Sequence, residues 1–237
     1  MLMQRLPRPS IGIASWCLRG QRARTLSTLA SNPHIYYFPD PHDATQNLLS
    51  LLPTSPSTST LVLGRTSTIP PESNPSSFTP NPRFLEILQS VMREYSIHDP
   101  VVQASAAAYA SQAGATLSGG VLLPSSHPLK QRMRKPSTSG AGPTASQGGM
   151  GSGGRHGWVH VYDLRHPPDF GRIPDPEDIF GSVEVDGEGS FVGDGGNYQA
   201  SGTYRIVTRD GVLGLSDFLR GKLVDRLKQL EREERSK

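Results

Sequence analysis

Apolar positions along the chain change their period several times, and each change marks an element. Residues 34–38 are aromatic and β-branched, and Pro39 closes the run, which predicts a strand. Asp40 stands before Pro41 as a cap stands before a first-turn proline, so a helix is expected over residues 41–52. Residues 60–64 are apolar almost throughout, as in a strand covered on both faces. Two helices with clear start signals follow. Asn81 and Pro82 open one that runs to Tyr95, with Phe84, Leu85, Leu88, Val91 and Met92 on its inner stripe. Asp99 and Pro100 open the other, which ends at Gly114, a residue suited to the left-handed C-terminal position. Alanines 104, 106, 107, 108, 110 and 113 give this helix a small surface, and burial by close approach is expected. A further strand is read over residues 115–123.

The second half alternates with a period of two. Trp158, His160 and Tyr162 flank Val159 and Val161, and residues 179–185 give another strand. Residues 203–208 are expected to pair with 211–215 across a turn at Arg209, Asp210 and Gly211. Ser216 caps a last helix whose Leu219, Leu223, Val224, Leu227 and Leu230 form a stripe, while residues 231–237 are charged all round. These elements predict a single α/β (or α+β) domain over residues 33–237. It has a mixed sheet, about three helices in the first half, a β-rich second half and a C-terminal helix. Residues 66–80 are dense in Pro, Ser and Thr and read as a loop. Residues 125–156 are a Gly/Ser/Pro tract that reads as a disordered insertion, because such composition buries too little apolar surface to offset ordering entropy.

The first 26 residues depart from all of this. They hold five arginines (Arg5, Arg8, Arg19, Arg22 and Arg24), no lysine and no carboxylate. An Arg-rich, Ser-bearing, acid-free segment is what a mitochondrial transit peptide requires, so residues 1–26 are expected to be removed on import into the matrix. The chain carries 24 basic and 21 acidic residues, a net charge of +3. Without the leader the count becomes 24 − 5 = 19 against 21, or −2, and the global basic signal for nucleic acid disappears. The single cysteine, Cys17, also lies in the leader, so the processed chain has no thiol for a disulfide, a metal or a nucleophile. No run of 18 apolar residues occurs, and no membrane span is expected.

Chemistry-bearing residues concentrate between residues 162 and 179, where two arginines, five carboxylates, one histidine and four prolines separate two strands. One reading is a rigid loop presenting Arg165, His166 and Arg172 to an anion or an acidic partner. The other pairs the arginines internally with Asp163, Asp169 or Glu177, and it is preferred because ion-paired loops outnumber catalytic ones. His160, Asp163 and His166 recur every three residues. On a strand that spacing scatters them over both faces, and no metal or cofactor is expected. The glycines between 187 and 196 precede a strand and not a helix, so they do not form a phosphate cradle. Asp186, Glu188 and Ser190 imitate a calcium loop whose twelfth position, Asn197, lacks the required glutamate. Gly64, Arg65, Thr66 and Ser67 follow an apolar strand and offer N–H groups, hydroxyls and a cation, as ligand sites at strand ends in open α/β sheets do. Lys130, Arg132, Arg134 and Lys135 form a basic arm within the Gly/Ser tract, open to weak contact with RNA or anionic lipid. No aromatic residue interleaves them for base stacking.

Residues Tyr162 to Arg165, Pro167 to Ile173 and Tyr204 to Leu215 resemble a family of fungal mitochondrial proteins of unassigned activity, mainly over residues 157–230. The resemblance implies a mitochondrial location and brings no catalytic residues with it.

The expectation is therefore a matrix protein acting as a non-catalytic accessory or assembly factor for a mitochondrial complex, such as the ribosome or a respiratory complex. The rival is a small-molecule enzyme or binder that takes an anionic ligand through Arg65, Arg165 and His166.

Overall fold

The structure is a computed structural model that describes residues 27–54, 60–110, 156–169 and 172–236. The expected leader, the strand over 115–123 and most of the Gly/Ser/Pro insertion, basic arm included, lie outside the described residues.

The first half is an antiparallel meander. β1 (Ser27–Thr28), β2 (Tyr36–Pro39), β3 (Asn47–Ser50), β4 (Gly64–Thr66) and β5 (Thr79–Pro80) lie side by side in chain order. The helix expected over 41–52 is absent, and β3 takes its place. Asp40 accepts a hydrogen bond from the His42 N–H at 2.9 Å, and Asp43 accepts one from the Thr45 N–H at 2.9 Å. Carboxylates that cap helices also cap such turns, and here the two turns close a hairpin loop sealed by Asp40 N–H to Gln46 O at 3.0 Å. Leu48 and Leu49 then point to opposite faces, and both are buried. The expected strand over 60–64 is displaced to β4, since residues 61–63 bend and only Leu63 joins the ladder, donating to Leu49 O at 2.8 Å. Gly64 is required there: a Cβ would collide with Thr79 O and the Phe78 ring. Within residues 66–80, short 3-10 turns at Pro71–Ser73 and Pro75–Ser77 each begin on a proline.

Asn81 opens α1 (Pro82–Tyr95) as expected. Its Oδ1 accepts from the Arg83 N–H at 3.1 Å while its amide donates to Val62 O at 2.8 Å, so one side chain starts the helix and ties it to the sheet. A single 3-10 turn, Ser96–His98, leads to α2 (Pro100–Ala110). Among its described alanines only Ala106 is buried, beside Val102, and the expected helix end at Gly114 lies outside the described residues.

The second half is β-rich. β6 (Gly157–Tyr162), β7 (Ile179–Val185) and β8 (Gln199–Ala200) form a second antiparallel sheet, with a bulge between Val161 and Tyr162. The expected hairpin is present but short: β9 (Val207–Thr208) pairs with β10 (Gly211–Val212). Ser216 caps α3 (Asp217–Arg235) through the Leu219 N–H at 3.2 Å, and Leu219, Leu223 and Leu227 are its buried stripe. One apolar core joins the three sheets and the helices, with Ile35, Leu49, Leu63, Phe84, Leu88, Phe180, Val183, Val207 and Leu223 among its members. The architecture is α+β with antiparallel sheets. The strand-end rule for parallel sheets, used for residues 64–67, has no parallel sheet to act on among the described residues.

Candidate functional site

The polar centre of the molecule is Arg165. Asp163 follows β6 directly and is fully buried. Its Oδ1 accepts from the Arg165 N–H at 2.9 Å and the Gly214 N–H at 2.7 Å, and its Oδ2 accepts from the Tyr204 hydroxyl at 3.0 Å. The Arg165 side chain then folds inward and is only 3 % exposed. Its Nε donates to Asp178 Oδ1 at 2.7 Å, Nη1 to Ile206 O at 2.9 Å, and Nη2 to Arg205 O at 2.8 Å and Glu177 O at 3.1 Å. The guanidinium also lies over the Tyr204 ring, 5.7 Å from its centroid. Burial works against the Arg165 charge, yet Asp163, Tyr204 and Asp178 outweigh it and hold its pKa above the ordinary value. Burial also pushes the Tyr204 phenol well above its usual range, with the Asp163 charge adding to the effect. Gly214 closes the network, because a Cβ there would lie 2.7 Å from Arg165 N and 2.8 Å from Asp163 Oδ1. Every side of the guanidinium is engaged within the chain. It braces β6, the 3-10 turn Pro176–Asp178 and the segment before β9, and it is not presented to a ligand.

The internal pairing foreseen for Arg165 therefore holds for Asp163. Asp178 replaces the other two carboxylates considered, since the 3-10 turn brings it back under the loop. Glu177 is approached by Arg205 instead, at 3.8 Å. His166 is exposed, with Nδ1 4.0 Å from Asp175 Oδ2. Arg172 is exposed, and its N–H donates to Asp169 O at 2.9 Å. One ligand atom each from His166, Asp175 and Asp178 falls within 4.8 Å of the others. The cation already at Asp178 is Arg165, so the trio reads as part of the ion-paired loop.

The set near Arg65 is dispersed. Arg65 Nε lies 3.3 Å from Asp40 Oδ2, whose side chain is 1 % exposed, while the arginine is 41 % exposed. Thr66 is buried and its hydroxyl turns to Thr68 O at 3.1 Å and Ser77 Oγ at 3.2 Å, away from Arg65's partner. Ser67 faces solvent. His160 Nδ1 meets Ser182 Oγ at 2.8 Å, and the two residues stand opposite each other in the β6–β7 register, a cross-strand polar pair. Burial holds the His160 pKa below its usual value.

Sequence reasoning missed an opening among the described residues. A cleft of about 310 Å³ lies where residues 31–34 face residues 212–215 and the first turns of α3, with Leu51 and the Leu164–Arg165 backbone region completing it. Asn32 ties its walls together: the amide donates to Leu213 O at 2.8 Å and Oδ1 accepts from the His34 N–H at 3.1 Å. No motif marks it, because its residues come from four separate stretches. No described helix is long and apolar enough to cross a membrane. No family model, no curated protein and no solved structure matches the chain, which leaves its own side chains to carry a functional reading.

Proposed function

We propose that the protein is imported into the mitochondrial matrix and acts there as a non-catalytic accessory or assembly factor bound to a larger mitochondrial complex. The acid-free, Arg-rich first 26 residues support the location. The observation that carries the binding role is Ile173. It is 48 % exposed, one of two exposed large apolar residues among those described. It is followed by buried Pro174 on the loop whose base Arg165 locks, and exposed Arg172, His166 and Asp175 surround it in sequence. An exposed apolar side chain beside exposed charged residues has the composition of a protein contact, an apolar centre with a polar rim. The basic arm at Lys130, Arg132, Arg134 and Lys135 would add a weaker contact to RNA or anionic lipid.

Gradient sedimentation of a gently solubilised mitochondrial extract, with the N-terminus sequenced from the same fraction, tests this. The expected result is a processed chain that travels with a large particle and is released by high salt. Ile173→Asp shifts it to the free fraction without changing its melting temperature. A processed wild-type chain that sediments as a free species of monomer size, or an uncleaved chain outside mitochondria, overturns the proposal.

A further inference from the structure

We infer that the cleft between residues 31–34, residues 212–215 and α3 binds a small organic carboxylate with an aliphatic body, independently of the accessory role. The space, about 310 Å³, stands at the lower end of the range of roughly 300 to 1,000 Å³ common to small-molecule sites. Its polar lining comes from Ser31, Asn32, His34 and Arg220, its apolar lining includes the half-buried Leu164 and Leu215, and no Asp or Glu is among the lining residues.

The charge balance selects the ligand's sign. Arg165 also lines the cleft, but its guanidinium is enclosed and committed to Asp178, Asp163 and backbone carbonyls, so it offers nothing outward. Arg220 differs. One Nη2 donor goes to Asp217 Oδ1 at 2.6 Å, and Asp217 itself is 93 % exposed and lies outside the lining. That pair steers the guanidinium while leaving further donors for a ligand, and a carboxylate is one anion whose two oxygens match the guanidinium fork. His34 and Ser31 supply further polar partners beside it. The leucines suit an aliphatic chain and would leave a second charge unsolvated, which favours a monoanion over a di- or triphosphate.

The site is preformed. Asn32 fastens the 31–34 wall to Leu213. Gly214 is fixed twice from the other side, donating to Asp163 Oδ1 at 2.7 Å and accepting from the Leu164 N–H at 2.8 Å. Binding therefore has little wall ordering to do.

Octanoate, with octanol as its neutral counterpart, tests the inference on the full chain by amide NMR titration. Octanoate is expected to shift the resonances of Asn32, Leu213, Gly214 and Leu215, and to bind at least tenfold more tightly than octanol. Arg220→Gln lowers octanoate affinity roughly tenfold or more, the scale of one charge-assisted hydrogen bond, and Arg220→Lys recovers part of it. Octanol binding as tightly as octanoate, shifts confined to other regions, or unchanged affinity in a folded Arg220→Gln chain overturns it. Should Arg220→Gln fail to fold, the octanoate and octanol comparison on the wild-type chain decides alone.

Discussion

Arg165, just beyond β6, and Arg65, on β4, each face a buried carboxylate, yet the two pairs are built differently. Arg165 is enclosed, and Nε, Nη1 and Nη2 all donate to oxygens of Asp178, Ile206, Arg205 and Glu177. Arg65 is 41 % exposed, and its Nε stands 3.3 Å from an Asp40 Oδ2 that accepts no hydrogen bond. A desolvated charge is tolerated when the fold supplies oxygens on every side of it. A half-solvated one needs no such arrangement, because water does the remaining work. The difference separates a residue that holds three chain segments together from one that sits at a surface.

The largest effect that would break this comparison is at Arg165. Arg165→Met leaves Asp163 and Asp178 buried without their counter-charge and is expected to cost about 3–5 kcal/mol in chemical denaturation. Arg165→Lys should recover little, since a single ammonium cannot reach oxygens spread around a planar fork. The triple change Arg165→Met with Asp163→Asn and Asp178→Asn should be more stable than Arg165→Met alone, because the uncompensated charges are what costs. If Arg165→Met is as stable as wild type, the network is not a brace.

Tyr204 sharpens the same contrast with a smaller effect. Its hydroxyl donates to the Asp163 carboxylate at 3.0 Å, and a hydrogen bond to a charged group contributes about 1.5–3 kcal/mol, the loss expected for Tyr204→Phe. The folded pKa is raised, first by burial and then by Asp163. The folded chain keeps this proton where the unfolded chain releases it near pH 10. The Tyr204 contribution is thus complete below about pH 10 and is lost as pH rises further. Tyr162 and Tyr198 are also raised by burial and keep part of the alkaline slope. Denaturation midpoints measured between pH 9 and 11 should fall less steeply for Tyr204→Phe than for wild type. An identical slope would mean that this phenol ionises normally.

What was legible in the sequence follows from how local each cause is. α1 and α3 were readable because Asn81 and Ser216 cap within three residues of themselves, and β7 because its apolar alternation needs no outside partner. The loop at residues 40–46 was not, since Asp40 and Asp43 satisfy a helix cap and a turn with the same oxygen. The choice fell to the pairing of β3 with β2 and β4. Arg165 could be recognised as an ion-pairing residue but not matched to Asp178, since that depends on the 3-10 turn at Pro176–Asp178. The cleft was invisible for a further reason. Its walls meet through Asn32 and Leu213, 181 residues apart, and an asparagine in a loop carries no mark of so distant a carbonyl.

Arg65→Ala gives the smallest effect and the cleanest contrast with Arg165. An ion pair with one largely solvated partner contributes from about zero to 1 kcal/mol, and with the arginine 41 % exposed the lower part of that range applies. Against this stands Asp40, whose buried Oδ2 would lose the cation beside it. Asp40 Oδ1 keeps its bond from the His42 N–H, so the hairpin loop survives and the change stays local. A loss below about 1 kcal/mol in urea denaturation, with an unchanged m-value, is therefore expected. A loss comparable to that of Arg165→Met would mean that the Asp40 carboxylate depends on Arg65 as fully as Asp178 depends on Arg165. The exposed pair would then be a second brace, holding the β2–β4 meander as Arg165 holds the other half.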